Sequence, residues 1–208
     1  MDPRWRHPFT AIVAGPTKCG KTHFVERFIN SIDYIMYPTP TEIIWCYGIW
    51  QPGYENLKRN GVIFLEGIPS DINEWCSDKR RLCIIDDLMD EVDVNVTKLF
   101  TKGAHHHDIS VIQIVQNLFG RNKQQRTISL NAHYIVLFKN PRDKSQIVHL
   151  GKQVFPNQNQ YVVESFKSAT DRPHGYLLLD LTQDTPENLR LRTNIFPGEQ
   201  HIVYVPRK

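Results

Sequence analysis

The chain has 208 residues, enough for one substantial domain with an appendage, and its 40% hydrophobic and 23% charged residues exclude a disordered or fibrous chain. A formal net charge of +3 is too small to announce nucleic-acid binding by itself, so any polyanion contact is expected to be local. No apolar run approaches the about 20 residues of a membrane span, MDPRWRHPF lacks a signal core, and Cys19, Cys46, Cys76 and Cys83 lack CxxC spacing; an intracellular protein with reduced thiols, no zinc site and no membrane partner is expected.

The first apolar run, TAIVAG at 10–15, predicts a buried strand, and KTHFVERFINSI at 21–32 places Phe24, Phe28 and Ile32 at helical spacing. Between them, GPTKCGKT (Gly15, Pro16, Thr17, Lys18, Cys19, Gly20, Lys21, Thr22) fits G-x-x-x-x-G-K-[ST] in the strand-to-helix setting that a phosphate loop requires. Glycines let backbone N–H groups turn inward around phosphate oxygens, and a helix opening near Gly20 aims its positive end at them. Lys21 then reaches the β and γ phosphates of ATP, while the Thr22 hydroxyl offers a hard oxygen to Mg²⁺. The competing reading is an ordinary strand–helix turn with a solvent-facing lysine. Cys19 reads as a spacer whose alkylation is expected to block nucleotide entry.

EIIWCY (42–47) and GVIFLEG (61–67) predict two more strands, with QPGYENLKRNG a polar surface loop between them. Trp45, Tyr47, Trp50 and Tyr54 read as core and edge packing, with Tyr54 beside Lys58 a candidate for stacking on a base. RLCIIDD (81–87) predicts a fourth strand that ends in carboxylates. Nucleotide hydrolysis needs a carboxylate near the metal, so Asp86 is assigned to the Mg²⁺ shell through water, and Asp87 to orienting or deprotonating the attacking water. Many ATPases use Glu for that second role. The shorter Asp leaves Glu91 as a rival, and a helix N-cap is the other reading of Asp87.

VDVNVTKLFTKG carries Val92, Val96, Leu99 and Phe100 at helical spacing before a glycine. His105, His106 and His107 read as a polar loop and not a metal cluster, because consecutive side chains do not converge on one ion. ISVIQIVQ (109–116) predicts a fifth strand ending in Gln116, a turn residue or a γ-phosphate sensor. If this strand lies between the phosphate-loop strand and the Asp86 strand, the sensor reading gains, because ligands bind at the carboxyl edge of such sheets. FGRNKQQR is expected as a surface loop and HYIVLF (133–138) as a sixth strand. Arg121, Arg126 and Arg142 are candidates for an arginine finger serving a neighbouring subunit, or else solvated loop arginines. Lys102, Arg121, Lys123 and Lys139 form either a DNA-facing cluster or a solvated face.

After about residue 155 come a helix-like QYVVESFKSA, a strand YLLLDL and a Pro-containing tail. The expected division is a P-loop ATPase core over 1–155 and a C-terminal extension over 156–208 packed on the same domain. Continuous apolar runs without period-two alternation require a mostly parallel sheet covered on both faces, hence a wound α/β fold.

Together GPTKCGKTHFVERF, WCYG, RRLCIIDDLMDE, LFTKGAHHHDISVIQIVQNLF, RTISLNAHYIVLFKNPRD and GYLLLDL resemble the genome-packaging ATPases of eukaryotic double-stranded DNA viruses. The chain is similar to the poxvirus-type packaging ATPases of the FtsK/HerA superfamily, most closely to short versions carried by adintoviruses and Maverick/Polinton elements. The resemblance implies an α/β P-loop NTPase: a RecA-like, mostly parallel central sheet flanked by helices, with an additional strand between the phosphate-loop strand and the Asp86 strand. It also implies a homo-oligomeric ring that uses ATP and Mg²⁺ to drive double-stranded DNA into a capsid, with viral capsid proteins as partners and the infected host cell, or the virion, as location. By position, Gly15, Gly20, Lys21 and Thr22 match the family's Walker A loop, Asp86 and Asp87 its Walker B pair, and Gln116 its polar sensor. The family varies in where its finger arginine lies, so Arg126 and Arg142 both stay candidates.

The leading functional reading is therefore an ATP-driven DNA-packaging motor. A replicative helicase-type ATPase has a similar phosphate loop but is expected to carry an origin-binding or nuclease domain, for which this chain has no room. A small-molecule kinase or nucleotide-gated switch is expected to carry an arginine-rich lid and an acceptor pocket, whereas the acidic pair and the distal Gln116 suit hydrolysis better.

Overall fold

The computed structural model describes residues 2–69, 79–86, 88, 94–103, 108–120 and 123–206. In chain order the strands are β1 (Trp5–Arg6), β2 (Thr10–Ala14), β3 (Met36–Tyr37), β4 (Glu42–Tyr47), β5 (Ile63–Glu66), β6 (Arg81–Asp86), β7 (Ile109–Val115), β8 (Tyr134–Phe138), β9 (Tyr176–Asp180), β10 (Leu191–Thr193) and β11 (Ile202–Tyr204). The α-helices are α1 (Lys21–Asn30), α2 (Ile32–Ile35), α3 (Tyr54–Arg59), α4 (Val94–Lys98), α5 (Lys123–Leu130), α6 (Ser145–Val154) and α7 (Asn159–Ala169). All six apolar runs are strands.

Among the described residues the main sheet runs β11-β10-β9-β8-β2-β7-β6-β4-β5, and β1 pairs with β3 beside it. From β5 to β8 every neighbour is parallel. From β8 onward the pairing turns antiparallel, so the C-terminal strands lengthen the same sheet. β7 lies between β2 and β6, the inserted strand that the resemblance implied.

Side chains alternate along each strand into two cores, as the strand period of two demands. Ile12, Cys46, Cys83, Ile85, Val111 and Leu137 face one side with Leu99, Leu150 of α6 and Val162 of α7. Ala11, Val13, Trp45, Ile84, Ile112 and Val136 face the other with Phe24 and Phe28 of α1 and Leu57 of α3. Burying Phe24 and Phe28, both almost fully covered, contributes about 1.5–3 kcal/mol each. Both faces are covered, which is why these strands read as unbroken apolar runs.

Two expectations are corrected. QPGYENLKRNG is not only loop: it contains α3, whose Tyr54 and Leu57, at i and i+3, are buried. FGRNKQQR runs into α5, where Gln125 and Ile128 are buried at the same spacing. A helix this short presents one apolar stripe only, so its polar composition masked it. The helix expected over VDVNVTKLFTKG has α4 followed by a π-helical turn at Leu99–Gly103, with Val96, Leu99 and Phe100 buried; Val92 lies outside the described residues.

Candidate nucleotide site at the carboxyl edge of the sheet

The register brings the motif residues together. Ala14 on β2 pairs with Val115 on β7, and the Gly15 N–H donates to the Val115 carbonyl at 3.2 Å, so the phosphate loop and Gln116 leave adjacent strands at one level. On the other side of β7, Asp86 pairs with Ile114. The inserted strand therefore carries Gln116 out between the loop and the carboxylate.

The loop itself is built around two left-handed residues, Lys18 (φ 65°) and Gly20 (φ 111°). Left-handed residues of this kind are the ones that let loop N–H groups converge on an anion. Gly20 caps α1, and its carbonyl accepts the Phe24 N–H at 2.9 Å, so the positive end of a ten-residue helix opens here. Gly15 has no room for a side chain: a Cβ there would lie 2.7 Å from Cys19 Sγ and 2.7 Å from Phe138 Cβ. The Lys21 ammonium folds back, donating to the carbonyls of Gly15 (2.7 Å) and Pro16 (3.0 Å). Burial pushes the half-buried Cys19 thiol up, which outweighs the nearby Lys21 charge and makes it a poor nucleophile at neutral pH.

A cavity of about 310 Å³ is lined by Thr17, Lys18, Gly20, Lys21, Thr22, His23, Gln51, Asp86, Ile114 and Gln116. Asp86 is 4% exposed, and the phenolic O–H of Tyr54 donates to its Oδ2 at 2.6 Å. Burial, together with the Asp86 charge, pushes the Tyr54 phenol far up, so it stays a donor. The donor set suits Mg²⁺: the Thr22 hydroxyl and the Asp86 carboxylate are hard oxygens on one cavity.

The two candidate arginines stand apart. Arg142 lines a cavity of about 630 Å³ with Pro16, Thr17, Gln116, Asn117 and Asn140, contiguous with the phosphate site through Thr17 and Gln116. Arg126, on α5, lines a second cavity of about 390 Å³ with Phe119, Leu130, His149 and Gln153, which meets the Arg142 cavity at Asp143 and shares no residue with the phosphate cavity. Between these regions Gln146 of α6 donates to Asn117 Oδ1 (3.1 Å) and Asp143 Oδ2 (2.9 Å) and accepts from the Leu118 N–H (3.0 Å). Asp87, Glu91, Arg121 and His105 to His107 lie outside the described residues, as does Cys76.

Neither a protein-family model nor a curated protein matches the chain in sequence. Solved structures do match. The genome packaging NTPase B204 from Sulfolobus turreted icosahedral virus 2, in complex with sulfate, aligns with a TM-score of 0.57 at 11% identity over 97% of this chain and 98% of that one. The fold is that of a P-loop NTPase. The same protein in complex with ATP-gammaS aligns at 0.56 and 11% identity over 96% of this chain and 98% of that one. Its complex with AMPPCP aligns at 0.54 and 10% identity over the whole of both chains.

Within this P-loop NTPase fold, Gln51 and His174 near the site escaped the sequence reading, whereas Tyr54 is packed as expected. Only its bond to Asp86 was hidden, in a segment taken for loop; the signal was the Tyr54–Leu57 spacing. As a consequence Tyr54, 1% exposed, is no platform for a base. His174, in the turn before β9, reaches the phosphate loop, where its Nδ1–H donates to the Cys19 carbonyl at 3.1 Å. Nothing in DRPHG announces it. Among the described residues no helix is long and apolar enough to cross a membrane.

Proposed function

We propose that this chain is an ATP-hydrolysing motor of the FtsK/HerA superfamily that drives double-stranded DNA into a viral capsid as a homo-oligomeric ring. The observation that carries the reading is the convergence of Lys21, Thr22, Asp86 and Gln116 on one cavity at the carboxyl edge of the sheet, with the sensor strand between the two Walker strands. The sequence resemblance to packaging ATPases and the shared fold of a packaging NTPase support the same conclusion from two sides.

In this mechanism the backbone N–H groups of the loop from Thr17 to Thr22 cradle the phosphates. Lys21 exchanges its two loop carbonyls for β and γ phosphate oxygens, which add the attraction of opposite charges to its hydrogen bonds. Thr22 and Asp86 are the residues that would hold Mg²⁺, which would supply charge neutralisation of the phosphates. Asp87 takes the proton as the water oxygen attacks the γ-phosphorus and the bond to the β-phosphate oxygen breaks; Gln116 orients the water. Glu91 is the alternative carboxylate. Arg142 acts in the neighbouring subunit or at its own site, and its place beside Thr17 and Gln116 favours it over Arg126 as the arginine that meets nucleotide. The 156–208 segment serves as an extension packed on the 1–155 core, and capsid proteins are the docking partners.

The decisive experiment measures ATP turnover with Mg²⁺ and titrates double-stranded DNA at low salt, where phosphate contacts are strongest. Stimulation by DNA is expected; a rate indifferent to DNA under those conditions sinks the translocase reading. Asp87→Asn is expected to bind ATP without turning it over. Loss of binding would instead reassign that carboxylate to the metal.

A further inference from the structure

Tyr54 belongs to no phosphate-binding motif, yet it is hydrogen-bonded to Asp86. Both groups are almost wholly buried, Tyr54 at 1% and Asp86 at 4% exposure, and their O–H···O distance is 2.6 Å. A short bond from a neutral donor to a buried carboxylate is of the charge-assisted kind, about twice as strong as a neutral pair. It helps fix the orientation of a side chain whose terminal torsion is broad for aspartate.

The phenol is itself held. Its ring stacks on Phe64 at 5.1 Å and packs against Trp45 at 5.1 Å, Trp50 at 5.5 Å and Tyr47 at 6.0 Å. Tyr47 pairs with Asp86 across the β4–β6 ladder, so the aromatic cluster and the carboxylate rest on neighbouring strands. The Tyr54 N–H donates to the Gln51 carbonyl at 3.0 Å, and Gln51 lines the phosphate cavity. One turn of chain thus holds Asp86 and places Gln51 over the same cavity.

Resting on the Mg²⁺–nucleotide reading above, we propose that Tyr54 is a positioning residue for the divalent cation: its hydroxyl orients the Asp86 carboxylate toward the metal and phosphate position. A group that only fills the core would contribute to folding and leave the metal dependence alone. A partner that orients a metal ligand changes metal affinity by about 10–100-fold when removed. Trp45 and Trp50, both in ring contact with Tyr54, are built-in reporters of what happens at Asp86.

The test is Tyr54→Phe, which keeps the ring and deletes the hydroxyl. Binding of a non-hydrolysable ATP analogue is followed by tryptophan fluorescence, first in chelator and then across a Mg²⁺ titration, with thermal unfolding as the check on folding. The expected result is unchanged affinity in chelator, and a Mg²⁺ concentration for half-maximal tightening raised about tenfold. An unchanged Mg²⁺ half-point in a folded Tyr54→Phe overturns the inference alone. A wild-type chain whose nucleotide binding ignores Mg²⁺ overturns the Mg²⁺–nucleotide reading and the inference with it. If Tyr54→Phe does not fold, the wild type and Asp86→Ala decide: Mg²⁺ added to the nucleotide complex is expected to shift the tryptophan signal only where Asp86 is present. The same shift in both proteins overturns the inference.

Discussion

The parallel and antiparallel halves of the one sheet do different work. From β5 to β8 all strands point the same way, so their carboxyl ends gather at a single edge with the phosphate loop, Asp86 and Gln116, over an interior that is mostly apolar but holds Thr10, Ser110 and Gln113. From β9 to β11 direction alternates, no edge collects the loops, and the polar chemistry lies inside: Arg192 and Asp180 form a buried ion pair. Arg192 also donates to the Pro3 carbonyl at 2.8 Å, tying the first residues to the last strands. Parallel pairing concentrates reactive groups, whereas antiparallel pairing here makes a brace. The halves are joined along the β8–β9 ladder, and His174 adds a contact from the brace to the phosphate loop.

That division is broken first by stability. Arg192→Ala leaves the Asp180 charge buried without this partner and is expected to cost about 3–5 kcal/mol, read as the shift in urea unfolding. Nucleotide affinity of the folded fraction should stay within about threefold, the size of a change under 1 kcal/mol. If affinity collapses in parallel with stability, the two halves are one functional unit. Lys21→Ala is the converse experiment. Turnover should fall about 10²–10³-fold, the scale for losing a preorganised electrostatic contact, while unfolding moves by about 1–3 kcal/mol, the worth of the two loop hydrogen bonds that are lost. A strongly destabilised Lys21→Ala would make the lysine a structural element.

The same contrast explains what was legible in the sequence. The parallel half announces itself because strands covered on both faces need continuous apolar runs, and because Gly15, Gly20, Lys21 and Asp86 are the residue types that phosphate and metal demand. Gln116 was legible only once the strand order was supplied. The brace is written in strands as short as three residues, such as Leu191–Thr193, with no room for a periodicity, and its ion pair joins residues twelve apart by a register that sequence does not display. α6, with Ile147 and Leu150 buried among polar residues, passed unread, and Tyr54 and His174 act through contacts 32 and 155 residues away along the chain.

The link between the halves is testable at His174. It reaches the loop through a hydrogen bond to a backbone carbonyl, so His174→Ala should weaken nucleotide binding by about 1 kcal/mol, roughly fivefold, with the unfolding midpoint little moved. No change in affinity would show that the brace supports the loop without tuning it.

Acid sensitivity separates the halves by a smaller effect. The His7 ring, its side chain 1% exposed, bonds to Ser110 Oγ at 2.6 Å and approaches Asp108 at 3.1 Å, beneath the parallel strands. Burial lowers its pKa more than Asp108 raises it. The folded chain therefore binds this proton more weakly than the unfolded chain. The corresponding stability is fully present above the ordinary histidine pKa and is lost as pH falls through it. His201, in the antiparallel half, is lowered by burial and then by Arg192, so it acts with the same sign. It is the more exposed of the two, and a more exposed group is screened by solvent. The difference in melting temperature between about pH 8 and about pH 5 should accordingly shrink more in His7→Gln than in His201→Gln. The reverse order would move the acid-labile element out of the parallel half and into the brace.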